Sequence, residues 1–188
     1  MSSSKKIIKT FLLLTLLTLP IDQGTKEFAR AEFLIHEDLA DTTIYQGKRE
    51  NVMAQQFGSE WVTINFTYVR NHGASWGIMK DLSESLRRPV LIIIGIFLAV
   101  GCFWAAEKLQ RAGLQKEAAT LALLLAGAVG NFVDRVRLGY VVDFVTVRGR
   151  IVGRSWSLPA FNVADIIIVA ALFSLIYIII SSRDQKLN

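Results

Sequence analysis

Histidine and cysteine are nearly absent from this 188-residue chain, which holds only His36, His72 and Cys102 of those types. A single cysteine excludes a disulfide framework within the chain, and two histidines leave no zinc or haem ligand set. Charge is scarce too: 20% of residues are Asp, Glu, Lys or Arg, against about 25% in an average soluble domain. It vanishes altogether from 89–106, 118–133 and 166–182, with a shorter clean run at 11–21. These absences exclude an ordinary water-soluble enzyme and leave no His/Cys set for zinc or haem. No cofactor and no metal are expected. Carboxylates, amides, hydroxyls and arginines are left to carry any reaction.

What fills the space is apolar. Hydrophobic residues make up 52% of the chain and the mean hydropathy is +0.40. A bilayer core takes roughly 20 apolar residues per helix, with about 17 as a lower limit. The four clean stretches therefore predict an α-helical membrane protein with four transmembrane helices, at about 7–25, 89–106, 118–134 and 160–181. The 21 basic residues against 16 acidic ones give +5, which in this setting points to an anionic phospholipid bilayer rather than to nucleic acid.

The first stretch has two readings. Lys5, Lys6 and Lys9, the short apolar run and Ala29-Arg30-Ala31 resemble a cleaved secretory signal. Asp22, Lys26, Glu27 and Arg30 crowd the supposed cut, so the stretch is kept as a first helix with Lys9 and Lys26 snorkelling. The second helix is expected to open at Arg87-Arg88-Pro89, since proline suits a first helical position. In the third, Ala118, Ala122, Ala126 and Gly130 form a row of small residues that lets another backbone approach.

Basic residues in short loops give the orientation. The N-terminal tail, the 107–117 loop and the C-terminal tail hold eight, and the 135–159 loop holds five. Both termini are thus placed in the cytoplasm, with 26–88 and 135–159 outside. In the outer segments, Phe28, Ala31, Ile35 and Leu39 recur at helical spacing, as in a short surface helix. Trp61 to Arg70 alternates and is rich in β-branched and aromatic residues, which reads as strand. Residues 140–157 also read as strands, with Gly149 and Gly153 as turn or bulge positions. The expectation is one membrane domain over 1–188 with a small extracytoplasmic β-sheet, Trp61, Trp76 and Trp156 anchoring that side.

The polar residues near the membrane sit on one face. Asp22 and Lys26 end the first helix, Asn131, Asp134 and Arg135 end the third, and Asn162 and Asp165 open the fourth. Asp143 lies between apolar Val142 and Phe144. The midplane carries nothing ionisable, unlike an ion or proton pathway. Asp165, six residues beyond Pro159, falls roughly 9 Å along the fourth helix if that helix starts there. If the sheet folds onto the bundle, Asp143 and Asp165 can converge. Two adjacent carboxyls in a low-dielectric site share one proton, and such a pair can activate a water and polarise a carbonyl.

Each residue also has a structural reading. Asp22 and Lys26 suit an i, i+4 ion pair, Asn131 and Asn162 suit interhelical hydrogen bonds, and Asp134 with Arg135 suits a water boundary. Asp143 suits an exposed strand and His72 a turn. Asp165 is the hardest to assign to structure alone. A transporter using Asp165, and an assembly protein, stand as alternatives to a protease.

Five blocks together resemble the lipoprotein signal peptidases, also called signal peptidase II. They are Asp22-Gln23-Gly24-Thr25-Lys26, Asn71-His72-Gly73-Ala74-Ser75-Trp76-Gly77, Gly130-Asn131-Phe132-Val133-Asp134-Arg135, Val142-Asp143-Phe144 and Phe161-Asn162-Val163-Ala164-Asp165. They stand in the family's order across nearly the whole chain. The resemblance implies an aspartic endopeptidase of the bacterial inner membrane, cutting diacylglyceryl prolipoproteins just before the lipidated cysteine at the extracytoplasmic face. It implies Asp143 and Asp165 as the catalytic pair, Asn71 and Arg135 as contacts to substrate backbone, and Asn131 and Asn162 as orienting groups. Asp22 and Lys26 would support the site, Asp134 would be structural, and globomycin would be an inhibitor. The 27–70 segment is longer than the family leads one to expect, and 144–160 is somewhat extended.

Overall fold

The computed structural model describes residues 3–33, 50–73 and 83–187. In chain order the elements are α1 (Ser3–Phe33), β1 (Glu50–Phe57), β2 (Glu60–Asn71), α2 (Glu84–Arg111), α3 (Gln115–Arg137), β3 (Val141–Ile151), β4 (Arg154–Ser157) and α4 (Val163–Leu187). All four helices are long and apolar enough to cross a membrane. The chain is an α-helical membrane protein with a small antiparallel sheet. Its backbone divides into two compact units.

The helical unit comprises α1 as far as Asp22, Ile92–Val133, and α4. Its inner helix is α3: 39% of the most apolar window of α3 is buried, against 6–11% in the other three. Small residues make this possible. Ala118, Ala122, Ala126 and Gly130 are all buried, as their spacing predicts. A Cβ at Gly127 would meet the Ile167 side chain at 2.9 Å and the Ala164 carbonyl at 3.2 Å, so α3 and α4 touch there almost backbone to backbone. At the opposite end Ile7, Ala106 and Ala118 form a small buried core beneath Phe103, Leu109 and Leu121. The large residues of α1, α2 and α4 point outward, as lipid-facing helices require.

The sheet unit comprises α1 from Gln23, the beginning of α2 to Leu91, the four strands and Asp134–Asn162. The strands run antiparallel in the order β1-β2-β3-β4. Gly58 turns the first hairpin at φ 65°, and Val152 and Gly153 turn the last at φ 52° and 71°. The register of β2 against β3 shifts between Phe66 and Val69, a bulge that twists the sheet next to Asp143. Beyond β4 the chain runs back along β3, where Leu158 N–H donates to the Val147 carbonyl and Phe161 pairs with Val145.

Several boundaries differ from those expected from sequence. Helix α1 does not stop near residue 25 but continues to Phe33, so Phe28 and Ala31 belong to it rather than to a separate surface helix. Residues 34–39 of that expected helix lie outside the described residues, as do Ala74–Gly77 and with them Trp76. Helix α2 starts at Glu84, five residues before Pro89, because the Ser83 carbonyl already accepts from Leu86 and Arg87 N–H. Helix α3 is three residues longer at each end than expected. Helix α4 starts at Val163 rather than 160, since Phe161 is still bonded to β3. Asp165 therefore lies in its first turn, not deeper along the helix. Gly149 is not a turn: it sits inside β3, where the Trp156 indole covers the space a Cβ would take. Strand β1, which is polar and rich in glutamine, has no counterpart among the sequence expectations.

Candidate active site

Four groups of polar side chains are built from the expected residues. The first belongs to the sheet unit and centres on Asp143, which is 1% exposed. Val69 of β2 pairs with Asp143 and Asn71 with Val141, which puts Asn71 and Asp143 on one face as diagonal neighbours. Asn71 Nδ2 donates to Asp143 Oδ2 at 2.9 Å, and its own Oδ1 accepts from Gly73 N–H at 3.2 Å. On the other side Asn162, fully buried, donates Nδ2 to Asp143 Oδ1 at 2.7 Å and to the Val142 carbonyl at 3.2 Å. Both oxygens of the carboxylate are thus held by amides, which fixes its plane.

The second group supports the strand that carries Asp143. Asp134, 2% exposed near the end of α3, accepts from Lys26 Nζ at 2.9 Å and from Gln23 Nε2 at 2.9 Å. Its Oδ2 also takes the Val142 N–H at 3.1 Å. One buried carboxylate therefore ties α1 and α3 to the residue next to Asp143. Charge-assisted bonds of this kind offset the desolvation of a buried pair only when the remaining lone pairs are used, as they are here. Gln23 was not singled out from sequence. Its signal was present: Gln23 and Lys26 are three apart, one turn of a helix, and face the same way.

The third and fourth groups belong to the helical unit. Asp22, 2% exposed, accepts the Ala164 N–H at 2.9 Å. Asn162 stands at the N-cap position of α4 and donates its Nδ2 to Asp143. Asp22 from α1 thus serves one N–H of the first turn, and its negative charge suits that helix end. Gly130 is required beneath it, because a Cβ there would overlap the Asp22 carboxylate. Asp165, half-buried, accepts Asn131 Nδ2 at 2.8 Å on Oδ1. Arg135 is half-buried in the last turns of α3.

A further cluster, unforeseen from sequence, sits on the sheet beside Asn71. Tyr68 and Tyr140 share a hydroxyl contact at 3.2 Å, the Arg70 guanidinium lies 5.2 Å from the Tyr140 ring, and the His72 ring is 5.1 Å from it. Burial pushes the Tyr68 hydroxyl well above the usual tyrosine range; the Tyr140 contact adds to this and Arg70 opposes it. Among the described residues, no three His, Cys, Asp or Glu side chains converge as metal ligands.

The signature of signal peptidase (SPase) II matches residues 14–181. The lipoprotein signal peptidase of Syntrophus aciditrophicus is 32% identical over 182 residues, covering 97% of this chain and 99% of that protein. The lipoprotein signal peptidase of Geobacter metallireducens is 33% identical over 182 residues, with 96% and 97% covered. In three dimensions the chain is similar to a solved bacterial membrane enzyme, with a TM-score of 0.63 at 28% identity over 95% of this chain and 92% of that one.

Proposed function

The chain belongs to the signal peptidase II family, and from that premise we propose that it is an aspartic endopeptidase acting on diacylglyceryl prolipoproteins, with Asp143 and Asp165 as its catalytic pair. The observation that carries the reading is Asp143 itself: a buried carboxylate between apolar neighbours, held at both oxygens by Asn71 and Asn162. The bond from Asn131 gives Asp165 a comparable partner.

In an aspartic pair of this kind one carboxyl acts in its ionised form and the other in its protonated form. The ionised member takes a proton from a water as the water oxygen attacks the carbonyl carbon before the lipidated cysteine. The protonated member gives its proton to the carbonyl oxygen. The resulting gem-diol collapses: one hydroxyl returns its proton to the pair, the C–N bond breaks, and the cysteine nitrogen takes a proton from the pair. The products are a signal peptide ending in a carboxyl group and a diacylglyceryl-cysteine with a free amine. Asn162 holds Asp143 and Asn131 holds Asp165, while Asn71, which also bonds Asp143, and Arg135 contact substrate backbone. Asp22 and Lys26 support the elements that carry these groups. Both termini lie in the cytoplasm of a bacterial cell, and the pair lies at the outer face of its inner membrane. Globomycin binds the same site and blocks it.

The test is cleavage by the purified protein in micelles, followed by mass spectrometry. A diacylglyceryl prolipopeptide is expected to be cut once, immediately before the modified cysteine, with globomycin abolishing the cut. Equal cleavage of the unlipidated peptide, or a cut elsewhere, would contradict the assignment.

A further inference from the structure

The hairpin between β3 and β4 breaks a rule that its neighbour keeps. A tight turn with positive φ at both central residues selects asparagine, aspartate or glycine. The β1–β2 hairpin meets its own positive φ with Gly58, but the β3–β4 hairpin uses Val152 at φ 52° before Gly153 at 71°. Left-handed backbone is strained for a β-branched residue. Among the described residues Val152 is the only non-glycine there. It is 83% exposed, so packing within the chain does little to offset the strain, and Ile151 beside it is 47% exposed. The turn is held through its backbone, where Glu60 Oε1 accepts Val152 N–H at 2.7 Å. The valine side chain plays no part in that bond.

The surroundings say what it faces. Arg150 and Arg154, both exposed, flank the tip, and Arg148 follows one step back on the face of Arg150. None of the three forms a salt bridge among the described residues. Trp61 pairs with Arg150, and Trp156 lies over Gly149. An aliphatic tip, a collar of arginines and tryptophans behind them match the layers of a bilayer surface: acyl boundary, phosphates and headgroup belt. A chain with four membrane-length helices is held at such a surface.

We propose that the β3–β4 hairpin is a lipid-docking site, with Ile151 and Val152 entering the headgroup–acyl boundary of an anionic bilayer and Arg148, Arg150 and Arg154 on lipid phosphates. None of these residues belongs to the Asp143 or Asp165 groups, so the inference stands apart from the peptidase chemistry.

The experiment uses the full chain in nanodiscs, with Cys102→Ala and Val152→Cys carrying an environment-sensitive dye. In phosphatidylglycerol-rich discs the dye is expected to be quenched by lipid-borne nitroxide and protected from acrylamide. Replacing the three arginines with glutamine should weaken the nitroxide quenching at least roughly twofold. A dye open to acrylamide, one shielded from both quenchers by protein, or lipid contact indifferent to the arginines would each overturn the proposal. A second variant covers the alternative that Val152 serves the fold. Val152→Asn should keep or raise the thermal midpoint, because asparagine suits the turn; a lowered midpoint would overturn the proposal as well.

Discussion

Asn162, the residue just before α4, donates its Nδ2 to Asp143 Oδ1 at 2.7 Å. A residue type favoured for ending helices is here used to aim a carboxylate. Asn162→Ala should cut the single-turnover rate by about 10- to 100-fold, with helix content unchanged by circular dichroism. Asn162→Asp would set a second carboxyl against Asp143. A like charge opposes ionisation, so the acid limb of the kcat/KM profile should move to higher pH. An unshifted profile would mean that Asp143 does not ionise in the rate-determining form.

The Lys26–Asp134 pair, with side chains 3% and 2% exposed, should be among the costliest contacts to break. Lys26→Met leaves a buried carboxylate without its cation, and the expected loss is about 3–5 kcal/mol. Lys26→Met with Asp134→Leu should recover a large part of it, because neither charge is then stranded. Denaturant titration of the two variants in the same micelle checks this.

Two glycines, one in the first sequence block and one in the third, should respond in opposite ways to alanine. At Gly130 the new methyl would overlap the Asp22 carboxylate and disturb the bond that caps Ala164. Gly130→Ala should lower the thermal midpoint and the activity together. Gly24, inside α1, has no atom within 4 Å of its would-be Cβ. Gly24→Ala should therefore be neutral or stabilise by up to about 1 kcal/mol through helix propensity.

Tyr68 gives a pH dependence. Burial raises its pKa in the folded protein above the unfolded value, so the neutral hydroxyl is what folding favours. The associated stability is fully present below about pH 10, the ordinary tyrosine pKa. It is lost as the pH rises from there toward the folded value. Thermal midpoints of the wild type should fall more steeply in that alkaline range than those of Tyr68→Phe. Equal slopes would count against it.

The membrane helices were legible because they report composition: a charge-free run of spanning length has few other uses. Strand β2 was legible for a similar reason, since Trp61 to Arg70 alternates between two environments. Strand β1 was not, because an edge strand such as Glu50–Phe57 pairs through backbone and makes little demand on side-chain pattern. The end of α1 was missed because its charged residues Lys26, Glu27 and Arg30 looked like a boundary, whereas Lys26 is buried by an ion pair with Asp134, more than a hundred positions away. The same long-range logic hid Gln23 and the cluster of Tyr68, Arg70, His72 and Tyr140. Asn71, Asp143 and Asn162 could be named from motifs, but the sequence held no sign that the two amides would take one oxygen each.

The most direct measurement is cleavage of a diacylglyceryl prolipopeptide by Asp143→Asn and Asp165→Asn in micelles, alongside thermal unfolding of both proteins. Each variant should unfold cooperatively near the wild-type midpoint and show no cleavage above the uncatalysed rate. Wild-type turnover in either folded variant would contradict the two-aspartate mechanism.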